Sequence, residues 1–88
     1  MFTVSDFRKA IRNGAHAWPG GYPLYFVTSD GEALSFEAAK TERRAILEAI
    51  RDRSNDGWRI VGLDVNWEDG ALYCVHTNKR IPSAYAED

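Results

Sequence analysis

The chain has 88 residues, of which 44% are hydrophobic, 12% aromatic and 27% charged, with a formal net charge of −2 and an isoelectric point near 5.6. A chain of this length supports one hydrophobic core and not two, and its apolar content excludes the low-hydrophobicity, high-charge signature of disorder. The acidic balance disfavours nucleic acid as a partner, duplex DNA above all, and the single cysteine, Cys74, excludes an internal disulfide.

The first element in chain order is a short helix over about 4–13. Thr3-Val-Ser-Asp6 reads as a capping box with Asp in place of Glu, Val4, Phe7, Ala10 and Ile11 recur at helical spacing, and Asn13-Gly14 supplies the stop. Its other face carries Arg8 and Arg12 one turn apart, with Lys9 beside them. Residues 14–23 are expected to form a loop dense in Trp, Tyr, Pro and Gly. Leu24–Thr28, rich in aromatic and β-branched residues, predicts a strand. Ser29-Asp-Gly-Glu32 is a hairpin signal, because Asp-Gly tolerates the positive φ of a tight turn, and it leads into a short strand over about 33–35.

Ser35 is a candidate N-cap, and the good helix formers that follow predict one long helix over about 35–53. Phe36, Ala39, Ile46, Leu47 and Ile50 fall on a single arc of that helix, which marks its core face. From Trp58 to Trp67 the chain alternates, placing Val61, Leu63, Val65 and Trp67 on one face that is expected to be buried. Glu68-Asp-Gly70 reads as a further hairpin turn, Ala71–His76 as a fourth strand, and Thr77–Asp88 as a polar tail interrupted by Ile81, Pro82 and Tyr85 and expected to be flexible from about 82. The expected fold is a single α+β domain over 1–88 in the order αββαββ, a four-stranded, mainly antiparallel sheet with the long helix on one face.

Three stretches carry a resemblance. Ala17-Trp-Pro-Gly-Gly-Tyr-Pro-Leu-Tyr-Phe-Val-Thr-Ser-Asp-Gly31, Gly57-Trp-Arg-Ile-Val-Gly-Leu-Asp-Val-Asn-Trp-Glu68 and Leu72-Tyr-Cys with Arg80-Ile81 look like a group of short prokaryotic proteins, some plasmid- or phage-associated. The resemblance implies a shared fold and brings no established activity. Some members of the group place Cys-x-x-Cys where this chain has Cys74-Val-His-Thr77, half of a zinc site in spacing, and Thr77 departs from that pattern. The long helix followed by Gly-Trp-Arg and an alternating strand is also similar, at the level of fold alone, to small bacterial βαββ domains.

Few residues offer chemistry. Cys74 and His76 stand two apart on the expected strand and so share a face, yet a metal site needs about four ligands and the only other histidine is His16. Arg43 falls inside the apolar arc of the long helix. A guanidinium there snorkels to solvent, pairs with a carboxylate, Asp64 or Asp30 being its structural ion-pair partner, or binds a ligand. Trp18, Tyr22 and Tyr25 either close the core or stand exposed to a partner. Gly20-Gly21 is no phosphate loop, since no strand precedes it and no Lys-Ser/Thr follows.

No catalytic group and no cofactor signal emerges. The sequence therefore points to a small, non-enzymatic binding or accessory module, cytoplasmic and without a membrane partner, that recognises a protein or forms a homodimer. The surface expected to do so is the loop over 15–25, with Trp18, Tyr22, Tyr25, Arg8 and Arg12. A nucleic-acid accessory factor using Arg8, Lys9, Arg12 and the aromatic loop is the alternative, and a small metal or thiol site at Cys74 and His76 is a further one.

Overall fold

The first helix, α1, spans Val4–Asn13, and its start is fixed locally in the computed structural model, which describes residues 2–14, 16–17, 22–54, 57–67 and 71–81. The Thr3 side chain accepts from the Asp6 N–H at 3.1 Å while the Asp6 carboxylate accepts from the Thr3 N–H at 2.9 Å. This satisfies two donors that the first turn would otherwise leave open. Phe7 and Ala10 form the buried face of α1.

The sheet is built on β2, Tyr22–Thr28. A two-residue strand, β1 (His16–Ala17), pairs with the start of β2, and β3 (Ala33–Leu34) pairs antiparallel with its end. The last strand, β4 (Ile60–Val65), runs antiparallel to β2 from Leu24↔Val65 to Thr28↔Ile60. The main sheet is thus three-stranded, β3-β2-β4, with β1 as a short extension.

Two further helices, α2 (Phe36–Thr41) and α3 (Arg43–Asp52), follow β3. Ser35 caps α2 by accepting from the Ala38 N–H at 3.1 Å. The core is centred on Phe26 of β2, whose ring stacks on Phe36 at 4.4 Å and meets Phe7 at 5.5 Å and Phe2 at 6.4 Å. One strand, two helices and the N-terminal segment are thereby joined through a single side chain. Leu34, Ile46, Ile60 and Ile81 complete the buried cluster.

Three features differ from the expected fold. The single long helix over 35–53 is two helices. Thr41 Oγ1 donates back to the Glu37 carbonyl at 3.0 Å, and Glu42 leaves helical geometry at φ −103°, ψ 28°. Hydroxyl back-bonding of this kind bends helices.

The expected fourth strand over Ala71–His76 does not form, so the sheet does not have four full strands. The Cys74 N–H donates to the Lys79 carbonyl and the Asn78 N–H to the Cys74 carbonyl, closing a turn with Asn78 at φ 60°. Its arms touch at the isolated bridge Tyr73↔Arg80, and the Val75 N–H donates to the Ala33 carbonyl at 2.9 Å, so this segment lies against β3.

The expected buried face of β4 is also corrected. A register shift at Val27/Thr28 leaves Val61 without a partner and exposed and sets Ile60 opposite Thr28, where it is buried; Leu63 and Trp67, outside the shift, are exposed as well. Arg43 reaches solvent, as the snorkelling alternative expects, while Ile46 and Ile50 are buried and Leu47 half-buried at i+3, i+7 and i+4 on the same helix. Trp18, the turn over 68–70 and the tail from about 82 lie outside the described residues. Among the described residues no helix is long and apolar enough to cross a membrane.

Candidate functional site

Helices α1 and α3 pack side by side, and a groove of about 380 Å³ opens along their seam. From α1 it is lined by Phe7, Arg8, Ile11 and Arg12, and from α3 by Arg43 and Leu47. The helical repeat puts Arg8 and Arg12 on one wall about 6 Å apart along the axis. Arg43 stands on the facing wall, at the first position of α3. Phe7 is fully buried, so the apolar floor open to a ligand is made by the half-buried Ile11 and Leu47.

The electrostatics of this groove are one-sided. Arg8, Arg12 and Arg43 are exposed, and among the described residues none of them has a carboxylate partner. Neighbouring cations are engaged: Arg44 with Glu48 at 3.9 Å, Arg51 with Asp52 at 3.1 Å and Lys79 with Glu37 at 3.2 Å. Among the described residues no acidic side chain lines the groove, and the first turn of α3 holds no acidic residue and no side-chain cap. Glu42 is the N-cap of α3 and α2 ends directly before it at Thr41, so the positive potential of the groove comes from the guanidinium groups and not from the helix dipole. An anion entering here meets donors on both walls and displaces no carboxylate of the described residues.

The remaining sequence candidates are dispersed. Asp64 is exposed on β4, its Oδ1 accepting from the Val65 N–H at 2.8 Å. It forms no ion pair with Arg43 among the described residues. Tyr25 lies opposite Asp64 in the strand register and packs against the core, and Tyr22 is half-buried against Trp67, ring centroids 4.7 Å apart. His76 is exposed and makes a T-shaped contact with Trp58, ring centroids 4.7 Å apart.

Cys74 is buried beside the N-cap of α2. Burial pushes its thiol up, but donors from Ser35 and Thr77 outweigh it and bring the thiol from 9.0 down to about 7. Among the described residues no group of three or more His, Cys, Asp or Glu side chains could hold a metal ion.

Sequence reasoning found Arg8 and Arg12 and singled out Arg43, but did not bring them together. The signal was the pairing of Arg8 and Arg12 at i,i+4 with Ile11 beside them, matched by Arg43 and Leu47 at the same spacing. Two helices with a mixed basic and apolar stripe form such a groove when they pack in opposite directions.

The chain matches no protein-family model, no curated protein and no solved structure.

Proposed function

We propose that this chain is a small, cytoplasmic, non-enzymatic binding module that engages an anionic region of a protein partner through the α1/α3 groove. One observation carries the reading: Arg8, Arg12 and Arg43 converge on a cleft where no carboxylate of the described residues neutralises them, in a chain whose net charge is −2. Charge held unpaired at a concave, partly apolar surface is a recognition feature, because complementary potentials steer encounter and fix register. The reading shifts the contact surface from the aromatic loop to the two helices. Titration of isotopically labelled protein with polyglutamate tests it. The amides of 7–12 and 43–47 shift in the wild type and stay still in the triple variant Arg8→Ala, Arg12→Ala, Arg43→Ala; equal shifts in both proteins would overturn it.

A second reading, self-association, is favoured by the exposure of Trp67, Leu63 and Val61 on one strand and its continuation, with Tyr22 against the Trp67 ring. Exposed apolar groups gathered in this way mark interfaces. Sedimentation equilibrium over a wide concentration range decides it: a dimer that Trp67→Ser dissociates supports the reading, and a monomer throughout rejects it.

A further inference from the structure

A second cavity, lined by Val4, Arg8, Arg44, Leu47, Glu48 and Arg51, shares Arg8 and Leu47 with the groove already described. The two make one track along the seam. Arg12 and Arg43 stand at one end and Val4 and Arg51 at the other, so the helices run antiparallel along it. From Arg43 to Arg51 the wall extends about 12 Å at the helical rise. Its floor is a line of half-buried apolar side chains, Val4, Ile11 and Leu47, with guanidinium groups on both sides. Glu48, the one carboxylate on the track among the described residues, is tied to Arg44.

We infer that this track takes an acidic amphipathic helix of about two turns from a partner protein, its apolar stripe seated on Val4, Ile11 and Leu47 and its Asp and Glu side chains meeting the arginines on either side. The inference rests on the binding-module reading and adds the chemistry of the occupant. The length matches, since about eight helical residues cover 12 Å. Complementarity matches too: an apolar floor between two basic rims is the negative image of a helix with one apolar face and acidic flanks, the helix-in-groove mode of recognition. Arginine suits the rims because its planar fork takes a carboxylate in two parallel hydrogen bonds.

Single-stranded nucleic acid is the competing anion, and the track serves it poorly. Sequence-tolerant strand binding relies on exposed rings that stack on bases. Among the described residues the only ring lining either cavity is Phe7, which is 0% exposed.

Fluorescence anisotropy with four labelled probes of equal charge tests the inference: a helix-stabilised peptide with Leu along one face and Glu on both flanks, the same peptide with each Leu replaced by Ser, polyglutamate, and a single-stranded oligonucleotide. The first probe binds at least about tenfold tighter than the second and third, as burial of an aliphatic anchor requires. The double variant Arg12→Ala, Arg43→Ala loses about tenfold or more for that peptide, and raising the salt concentration weakens it severalfold. Equal affinity for the Leu and Ser peptides overturns the amphipathic occupant while leaving an anion-binding groove intact. Tightest binding of the oligonucleotide also overturns it, in favour of nucleic acid. Failure of all four probes, with no response of the groove amides to polyglutamate, overturns both this inference and the reading beneath it.

Discussion

The Ser35 backbone N–H donates to Cys74 Sγ at 3.4 Å, joining the start of α2 to a turn 39 residues later in the chain. With further donors from Thr77, this environment holds the buried thiol at about 7, against 9.0 for a free one. Between those two values the folded chain has released the proton and the unfolded chain has not. The unfolded state then binds more protons, so stability rises with pH across that interval and levels off above it. Two units at roughly 1.4 kcal/mol each set a ceiling of about 3 kcal/mol on the gain. Urea unfolding of the wild type shows that rise between neutral and mildly alkaline pH, whereas Cys74→Ala does not; parallel profiles would mean that Cys74 stays a thiol.

Helix α1 depends on a reciprocal cap. Thr3→Ala removes the acceptor for the Asp6 N–H and is expected to lower stability by about 1 kcal/mol. Thr3→Ser retains the oxygen and most of that stability. Chemical denaturation of the two variants provides the comparison, and equal losses would show that the hydroxyl is not what matters. Because Arg8 and Arg12 are carried by this helix, Thr3→Ala also loosens one wall of the groove, seen as faster amide exchange over 7–12.

The parts of the fold that were legible in the sequence were set by short-range rules. The α1 boundaries follow from Thr3, Asp6 and Gly14, the β2–β3 turn from Asp30-Gly31, and the α2 cap from Ser35. What escaped depended on contacts between distant segments. Nothing in Thr41-Glu42-Arg43 breaks a helix by propensity, so the bend came from the back-bond to Glu37 and the need to seat both Phe36 and Ile46 on one core. Alternation over Trp58–Trp67 predicts Val61 on a buried face, and a single bulge puts Ile60 there instead. Cys74 and Ile81 looked like a strand residue and a tail residue until the turn at Asn78 brought both into the core. The groove was half legible: each helix displayed its arginines, but only packing showed that the arginine walls face the same cleft.

Asn66 holds the end of β4 to the segment 71–81. It is 3% exposed, its backbone N–H donates to the Pro23 carbonyl at 3.0 Å, and its Nδ2 donates to the Ile81 carbonyl at 3.3 Å. Asn66→Leu removes the side-chain donor and leaves a buried carbonyl without it, a loss of about 1–3 kcal/mol. Asn66→Asp is nearly isosteric but places carboxylate oxygen against that carbonyl, so it is more damaging at neutral pH than at low pH, where the protonated acid donates again. Hydrogen exchange localises the effect: protection at Cys74 and Ile81 falls further than protection at Phe26. A uniform loss would mean that Asn66 supports the whole core rather than this junction.

Gly57 and Gly62 separate backbone strain from lack of space. Gly57 has φ +85°, and a Cβ at that position would lie 3.4 Å from Asp30 Oδ2, an ordinary contact with the tip of a movable side chain. The cost of Gly57→Ala is therefore conformational, about 1–2 kcal/mol for an L residue held in that region. Asp30→Ala does not relieve it, since the carboxylate is not the obstacle. Gly62, within β4, has no left-handed φ, and a methyl group there would meet no described atom within 4 Å. Ala at this position restricts the unfolded chain without straining the folded one, and Gly62→Ala is neutral or stabilises by up to about 1 kcal/mol. Calorimetric melting of Gly57→Ala, Gly57→Ala with Asp30→Ala, and Gly62→Ala distinguishes the two effects. Rescue of Gly57→Ala by the second substitution would show that the Asp30 contact, and not the backbone, sets the requirement for glycine at 57.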